Sequence, residues 1–317
     1  MSCLPSEFKR FAKDIDERYV LALASAGLST GDVSLEICDV TYERGEYKSE
    51  FAAIHPPSAV RVTWNGIASL WACGHALARL AHRMFRAQRA FDASKDDVRL
   101  FFQDDEELKL GMNLFELSLI LAKHRCDRWV DWAPHPDPQP NDLDSQYGNA
   151  LFLSALGWIF RHELAHITLG HHGDSSPLPV AKIDNELEAD RTATRWIVDG
   201  RKADKQRPHG QKPGPVELDL ERRALAAFVG LVWISQFECI PHALSTTHPE
   251  ADKRVANVLE ELDLADDSAA AEIFSYGVKA LIDPDGKWGP LISHAPTALE
   301  AATEAMIRLG RHIRASQ

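Results

Sequence analysis

The chain has 317 residues, and 45% of them are hydrophobic, which is enough apolar material for one large core. Its formal net charge of -12 at pH 7 disfavours nonspecific binding to nucleic acid or to an anionic membrane, because both are recognised largely through lysine and arginine. The five cysteines are scattered and form no C-x-x-C pair, which argues against a disulfide framework and against a cysteine-rich zinc site.

The start of the sequence carries charges every few residues and lacks the apolar core of a signal peptide. The longest nearly apolar runs are residues 151–160 and 224–234. Both are shorter than the about 20 residues that a membrane helix needs. We therefore expect a cytoplasmic protein with neither a membrane nor a nucleic acid as its partner.

The first part of the chain, residues 1–133, is predicted to be an N-terminal region of a small sheet and helices packed on the core. Apolar and polar residues alternate in pieces over residues 33–64, which predicts a small antiparallel sheet. Apolar residues then recur every three or four positions over residues 67–89 and 112–129, which predicts two amphipathic helices. Four prolines in alternate positions over residues 134–140 forbid both helix and strand.

Beyond the prolines the pattern is helical. A helix is predicted from Asp142 or Asp144, either of which can cap its first turn, to Gly170 or beyond. A loop reverses the chain, and a second helix is predicted over residues 185–198. Further helices are predicted at residues 218–237, 249–262, 268–282 and 296–313.

The most informative segment reads H-E-L-A-H over residues 162–166 of the first of these helices. Positions four apart lie on one helical face, so His162 and His166 can reach one metal ion, with Glu163 beside them. This is how a zincin holds its metal. Glu186 on the next helix completes a His2Glu set for one zinc ion per chain and leaves a position open for water.

Each carboxylate near the predicted zinc ion has an expected role. Glu163 is the general base, which takes a proton from zinc-bound water as that water attacks a peptide carbonyl, and then passes it to the leaving amine. Asp190 lies four residues after Glu186 on the same helical face, which suits a carboxylate that accepts the N–H of a metal-bound imidazole. By analogy, that imidazole is His162.

These observations predict an α+β fold that is mainly α, with a zincin-like catalytic core at residues 142–265 and a C-terminal helical region at residues 266–317. The main alternative for the third ligand is His172, which stands six residues after His166, as in a metzincin. That motif requires glycine three residues after the second histidine, where this chain has Leu169. The pattern is more typical of a polar helix C-terminus at His171 and His172. Glu188, two residues after Glu186, is expected to face solvent.

The chain resembles the gluzincin peptidases that include the CAAX prenyl proteases and the bacterial heat-shock membrane endopeptidase. The resemblance lies in residues 162–166, residues 186–190 and the sequence Thr247-His248-Pro249 with Arg254. It implies that His248 helps to hold the transition-state oxyanion and that Arg254 contacts the substrate or supports the structure. An ordinary N-terminal cap and first helical turn would also explain His248 and the proline after it. Unlike those relatives, this chain has no predicted transmembrane helix.

In size, solubility and placement of the motif, the chain also resembles the Lit group of phage-exclusion peptidases. That group is believed to cleave a host translation factor when infection is sensed. The zinc helix is similar as well to that of regulatory peptidases that cleave repressors of mobile elements, although no convincing helix-turn-helix is present. The resemblances therefore imply a zinc endopeptidase with a protein or peptide substrate, regulated or acting in phage defence, with a repressor-cleaving peptidase as an alternative.

Two further alternatives concern the function of the whole chain and the role of its basic segment. The chain could be a catalytically silent binding module on a zincin fold, but retention of Glu163 favours chemistry. The polar segment of residues 201–212 carries five positive side chains in an acidic protein, which suits a lid or an exosite for an acidic partner. A solvated loop would have the same composition.

Overall fold

A computed structural model describes residues 4–39, 41–43, 46–48, 51–94, 105–171, 179–201, 214–239, 249, 251–283 and 297–315. The helices are α1 (Leu4–Phe8), α2 (Ala12–Ser25), α3 (Trp64–Ser94), α4 (Glu106–Lys123), α5 (Leu143–Thr168), α6 (Pro179–Val198), α7 (Pro215–Ser235), α8 (Ala251–Leu262), α9 (Ala269–Ile282) and α10 (Ala298–Ala315), with short 3-10 helices at Lys9–Phe11 and Gln236–Cys239. The strands are β1 (Ser34–Cys38), β2 (Thr41–Glu43), β3 (Glu46–Lys48), β4 (Phe51–Ile54) and β5 (Ala59–Thr63). The predicted fold class, α+β and mainly α, is confirmed.

The small sheet is mixed, whereas the sequence predicted an antiparallel one. Its strand order is β1-β5-β4, with β4 antiparallel and β1 parallel to the central strand. Strands β2 and β3 form a separate antiparallel pair. Parallel pairing needs a long crossover. Residues 39–58 connect β1 to β5. Alternation of apolar residues alone does not reveal whether two strands run parallel or antiparallel.

The helices pack around α3 and α5. Helix α3 lies against α4, α5 and α9, and α5 also contacts α2, α6 and α7. Helix α5 is buried along most of its length, as the apolar run of residues 151–160 predicted. Among the described helices, none is long and apolar enough to cross a bilayer.

Polar side chains set the starts of several helices. Asp142 caps α5 by accepting from the backbone N–H of Ser145 at 2.7 Å, and Ser268 caps α9 in the same way through Ala271.

Helix α4 runs from Glu106 to Lys123 and ends there, since the residue that follows has an extended backbone. The prediction that this helix reaches residue 129 was wrong. Helices α1 and α2 were not predicted from the sequence.

A buried polar cluster joins the N-terminal half of α5 to α3. The ring of His75 stacks on Trp71 at 3.7 Å, its Nε2 donates to Asn149 Oδ1 at 3.0 Å, and its Nδ1 accepts from Arg79 at 3.3 Å. Burial lowers the pKa of His75 to about 3. A side chain at Gly148 would place its Cβ only 2.6 Å from this ring, so glycine is required there.

Candidate metal centre

Three predicted ligand atoms converge between the C-terminal half of α5 and helix α6. The Nε2 atoms of His162 and His166 are 3.1 Å apart. The carboxylate of Glu186 lies 3.5 Å from the first of these nitrogens and 3.4 Å from the second. All three side chains are largely shielded from solvent. The sequence-predicted ligand set is therefore brought together by two neighbouring helices.

These separations suit a tetrahedral zinc ion. Zinc binds nitrogen and oxygen ligands at about 2.0–2.1 Å, so neighbouring ligand atoms of a regular tetrahedron are about 3.3 Å apart. The nitrogen–nitrogen distance is 3.1 Å, and the two nitrogen–oxygen distances, each to a different oxygen of Glu186, are 3.5 and 3.4 Å. Two imidazoles and one carboxylate are also the donor types of a catalytic zinc site with an open position.

A buried arginine and a buried carboxylate support two of these ligands. Asp190 Oδ1 lies 3.0 Å from His162 Nδ1, and the same carboxylate receives Nε and Nη2 of Arg254 at 2.8 and 2.7 Å. A third guanidinium nitrogen lies 3.4 Å from Glu186. Arg254, predicted to contact the substrate or to support the structure, thus lies against Asp190 and Glu186, where its side chain is only 3% exposed.

His166 has a support that the sequence did not reveal. Its Nδ1 lies 3.0 Å from Nδ1 of His171, whose Nε2 lies 3.3 Å from the carboxylate of Glu188. A consistent set of hydrogens has His166 donating to His171 and His171 donating to Glu188, which puts the lone pair of the His166 ring on Nε2, the atom that would bind a metal ion. His171 was interpreted as part of a polar helix terminus and Glu188 as a solvent-facing residue. Their spacing from the motif alone did not distinguish these roles.

Glu163 lies beside the ligands and is itself buried. Its Oε2 accepts a hydrogen bond of 2.8 Å from the backbone N–H of Ala53 in strand β4. Burial raises the pKa of the Glu163 carboxyl to about 7, against the opposing effects of His162 and of this N–H group. A carboxyl group with a pKa near neutrality can both accept and donate a proton.

The protein groups around the site attract positive charge. Burial opposes the charge of His162, but Asp190 and Glu186 outweigh it and raise the pKa of His162 to about 10. Burial together with the neighbouring charge of His162 lowers the pKa of His166 to about 3. Burial also opposes the charge of Asp190, but Arg254 outweighs it and holds the pKa of that carboxyl below its usual value. Protonation of His166 next to the charged ring of His162 is therefore disfavoured. The carboxylates of Glu186 and Asp190 still favour a metal ion shared by the two histidines.

Other predicted residues fall on parts of the chain that the structure does not describe. His248, the candidate oxyanion contact, and His172, the alternative ligand, lie outside the described residues. So does most of the basic segment, residues 202–212. Their predicted roles stay predictions.

Known proteins resemble this chain over the region that holds the site. The sequence model of the peptidase U49 family matches residues 60–274. Over 134 residues, the chain is 30% identical to the protein named cell death peptidase of Escherichia coli strain K12. This alignment covers 41% of the chain but only 39% of that relative. No solved structure matches the chain.

Proposed function

Since the chain belongs to the peptidase U49 family, we propose that it is a protease, and specifically a zinc-dependent endopeptidase acting on a protein substrate. One observation carries the proposal. His162, His166 and Glu186 bring two ring nitrogens and a carboxylate within 3.1 to 3.5 Å of one another, as a zinc site requires, with the buried carboxylate of Glu163 next to them.

His162, His166 and Glu186 would hold the zinc ion. Bound there, zinc would supply a Lewis acid that polarises the scissile carbonyl and makes water more acidic. Glu163 accepts a proton from the attacking water as the new carbon–oxygen bond forms. It then donates this proton to the leaving nitrogen as the carbon–nitrogen bond breaks, so that the carboxylate is restored.

Arg254 and Asp190 act on this chemistry through the ligands. Asp190 faces Nδ1 of His162, which directs the lone pair of Nε2 toward the ligand set. Arg254 balances the negative charge of Asp190 and Glu186 in a place from which water is excluded. We therefore assign Arg254 to the support of the site rather than to the substrate.

The biological role is proposed from the similarity to the Escherichia coli relative, which is named a cell death peptidase. We propose that this chain is a regulated protease whose activity harms the cell. A silent binding module would not need the buried carboxyl group of Glu163 beside its metal ligands.

The test is the substitution Glu163→Gln, which keeps the size of the side chain and an oxygen that can accept from Ala53. Wild-type and variant proteins are expressed in cells, new protein N-termini are identified by mass spectrometry, and zinc is measured by elemental analysis. We expect equal zinc content and a loss of cleavage of about 100 to 10,000-fold in the variant.

The matched control is Glu116→Gln, the same change at an exposed position of α4, which should cleave like the wild type. Cleavage by Glu163→Gln at the wild-type rate would refute the role of Glu163. If the purified wild-type protein contains no zinc and its activity is unaffected by chelators, the proposed zinc dependence is refuted.

A further inference from the structure

The general base is held by the backbone of a distant strand. Ala53 in β4 donates its N–H to Glu163 Oε2 at 2.8 Å, although 110 positions separate the two residues. A hydrogen bond to an ionised carboxylate is stronger than one between neutral groups. The donor is a backbone group, so its position follows the strand and involves no rotamer.

The register of the sheet explains why this donor is available. Strand β4 lies at the edge of the three-stranded sheet, and Ala53 stands opposite Val60 of β5. Along an edge strand, the N–H of every second residue points away from the neighbouring strand. Because the N–H of Ala53 reaches Glu163, it is one of these outward groups, and its loss would remove no bond of the sheet ladder.

Aromatic packing fixes strand β4 to the metal helix. The ring of Phe51 lies edge-on to Trp233 of α7, with the centroids 5.2 Å apart. It also contacts Phe160 of α5 at 6.3 Å, one helical turn before Glu163. The strand, the helix and the base are therefore parts of one packed unit.

We propose that the backbone N–H of Ala53 positions the general base. It fixes Oε2 of Glu163 and leaves Oε1 to exchange the proton with water and with the leaving nitrogen. Ala53 is thus a positioning residue, and this role rests on the proposed function. A carboxylate held in one orientation spends more of its time in the geometry that allows proton transfer. We therefore expect the hydrogen bond to affect kcat rather than substrate binding.

The sharpest test is Ala53→Pro, which deletes the N–H group. Proline is tolerated where the N–H of an edge strand points outward, and the residue before it is already extended, as proline requires. On a peptide that contains an identified cleavage site, we expect kcat to fall about 10 to 100-fold. KM and zinc content should stay at the wild-type values.

Ala53→Gly is the matched variant, since it changes the same residue but keeps the donor. We expect kcat to fall by less than about threefold, because only strand stability is affected. If both variants lose the same activity, or if Ala53→Pro keeps the wild-type kcat, the proposal is overturned.

A double-mutant cycle separates the hydrogen bond from strain in the strand. The shift in urea midpoint caused by Ala53→Pro is measured in zinc-loaded wild type and in zinc-loaded Glu163→Ala. We expect the shift to be at most half as large in the second background, because the acceptor is already gone. Equal shifts in both backgrounds would mean that proline acts on the strand alone.

If Ala53→Pro does not fold, Phe51→Leu tests the same placement by loosening the anchor of β4. We expect a several-fold lower kcat with unchanged zinc content, and an unchanged kcat would contradict the proposal. Absence of zinc-dependent hydrolysis in the wild type would instead refute the proposed function itself. An active wild type with a fully active Ala53→Pro refutes only the role of Ala53.

Discussion

One buried histidine, His75 of α3, packs against the N-terminal half of helix α5, and another, His162, lies in its C-terminal half. Their surroundings differ. At the N-terminal half, His75 contacts an amide, Asn149, and a cation, Arg79, and burial lowers its pKa to about 3. At the C-terminal half, His162 faces the carboxylates of Asp190 and Glu186. These carboxylates overcome burial and raise its pKa to about 10.

The contrast shows what makes a buried histidine a candidate metal ligand. Burial by itself favours a neutral ring that is used for packing and hydrogen bonding, as at His75. A pair of carboxylates on an adjacent helix makes the same environment attractive to a cation. Helix α6, which carries both carboxylates, is therefore the element that distinguishes the two ends of α5.

The largest effect is expected at Arg254, which balances the carboxylates of the candidate metal centre. Arg254→Ala would leave Asp190, whose side chain is 0% exposed, without its bidentate partner. Loss of one partner of a buried ion pair costs about 3–5 kcal/mol. We expect a fall of this size in the free energy of unfolding, measured in urea, together with lower zinc occupancy.

The chain offers a matched control for this substitution between the same two helices. Arg195 of α6 pairs with Glu261 of α8 at 2.8 Å, but the arginine side chain is 61% exposed. Arg195→Ala should cost no more than about 1 kcal/mol, as exposed ion pairs do. Equal costs for the two variants would show that Arg254 does not compensate a buried charge.

A smaller effect is expected at His171, which supports His166. His171→Gln should weaken zinc binding by about 10 to 100-fold, because the ring nitrogen that orients His166 is removed. The dissociation constant is measured by competition with a chromophoric chelator at neutral pH. His82→Gln is the control, since His82 contacts Asp144 at the far end of α5 and should bind zinc like the wild type. A wild-type constant for His171→Gln would remove this residue from the site.

The sequence predicted the parts of the site that follow from spacing within a helix. His162 and His166 are four residues apart, as are Glu186 and Asp190, so the spacing alone assigns each pair to one helical face. The apolar run ahead of the motif likewise predicted that α5 is buried. These are local properties, and local periodicity determines them.

Contacts between distant segments could not be predicted in this way. Ala53 reaches Glu163, and Arg254 reaches Asp190, across stretches of chain whose path depends on tertiary packing. The parallel pairing of β1 with β5 depends on the same packing. The sequence alone does not show which edge of a strand lies against a helix. These partners were therefore either missed or given another role.

The smallest effect is expected in the pH dependence of stability at the other end of α5. The pKa of His75 is about 3 in the folded protein, against about 6.5 in an unfolded chain. Between these values the unfolded chain binds more protons, so acidification favours unfolding. Above pH 6.5 neither state is protonated, and His75 adds no slope.

We therefore expect His75 to contribute a loss of up to about 1.4 kcal/mol per pH unit as the pH falls below 6.5. His75→Gln removes this titration. The free energy of unfolding is measured in urea for zinc-free wild type and variant at pH 7.5, 6.0 and 5.0. The difference between the two proteins isolates His75, because Glu163 and His162 titrate in both. Parallel curves would mean that His75 takes up a proton as easily inside the fold as outside it. In that case burial beside an amide and an arginine would not keep a histidine neutral here, and the contrast between the two ends of α5 would fail.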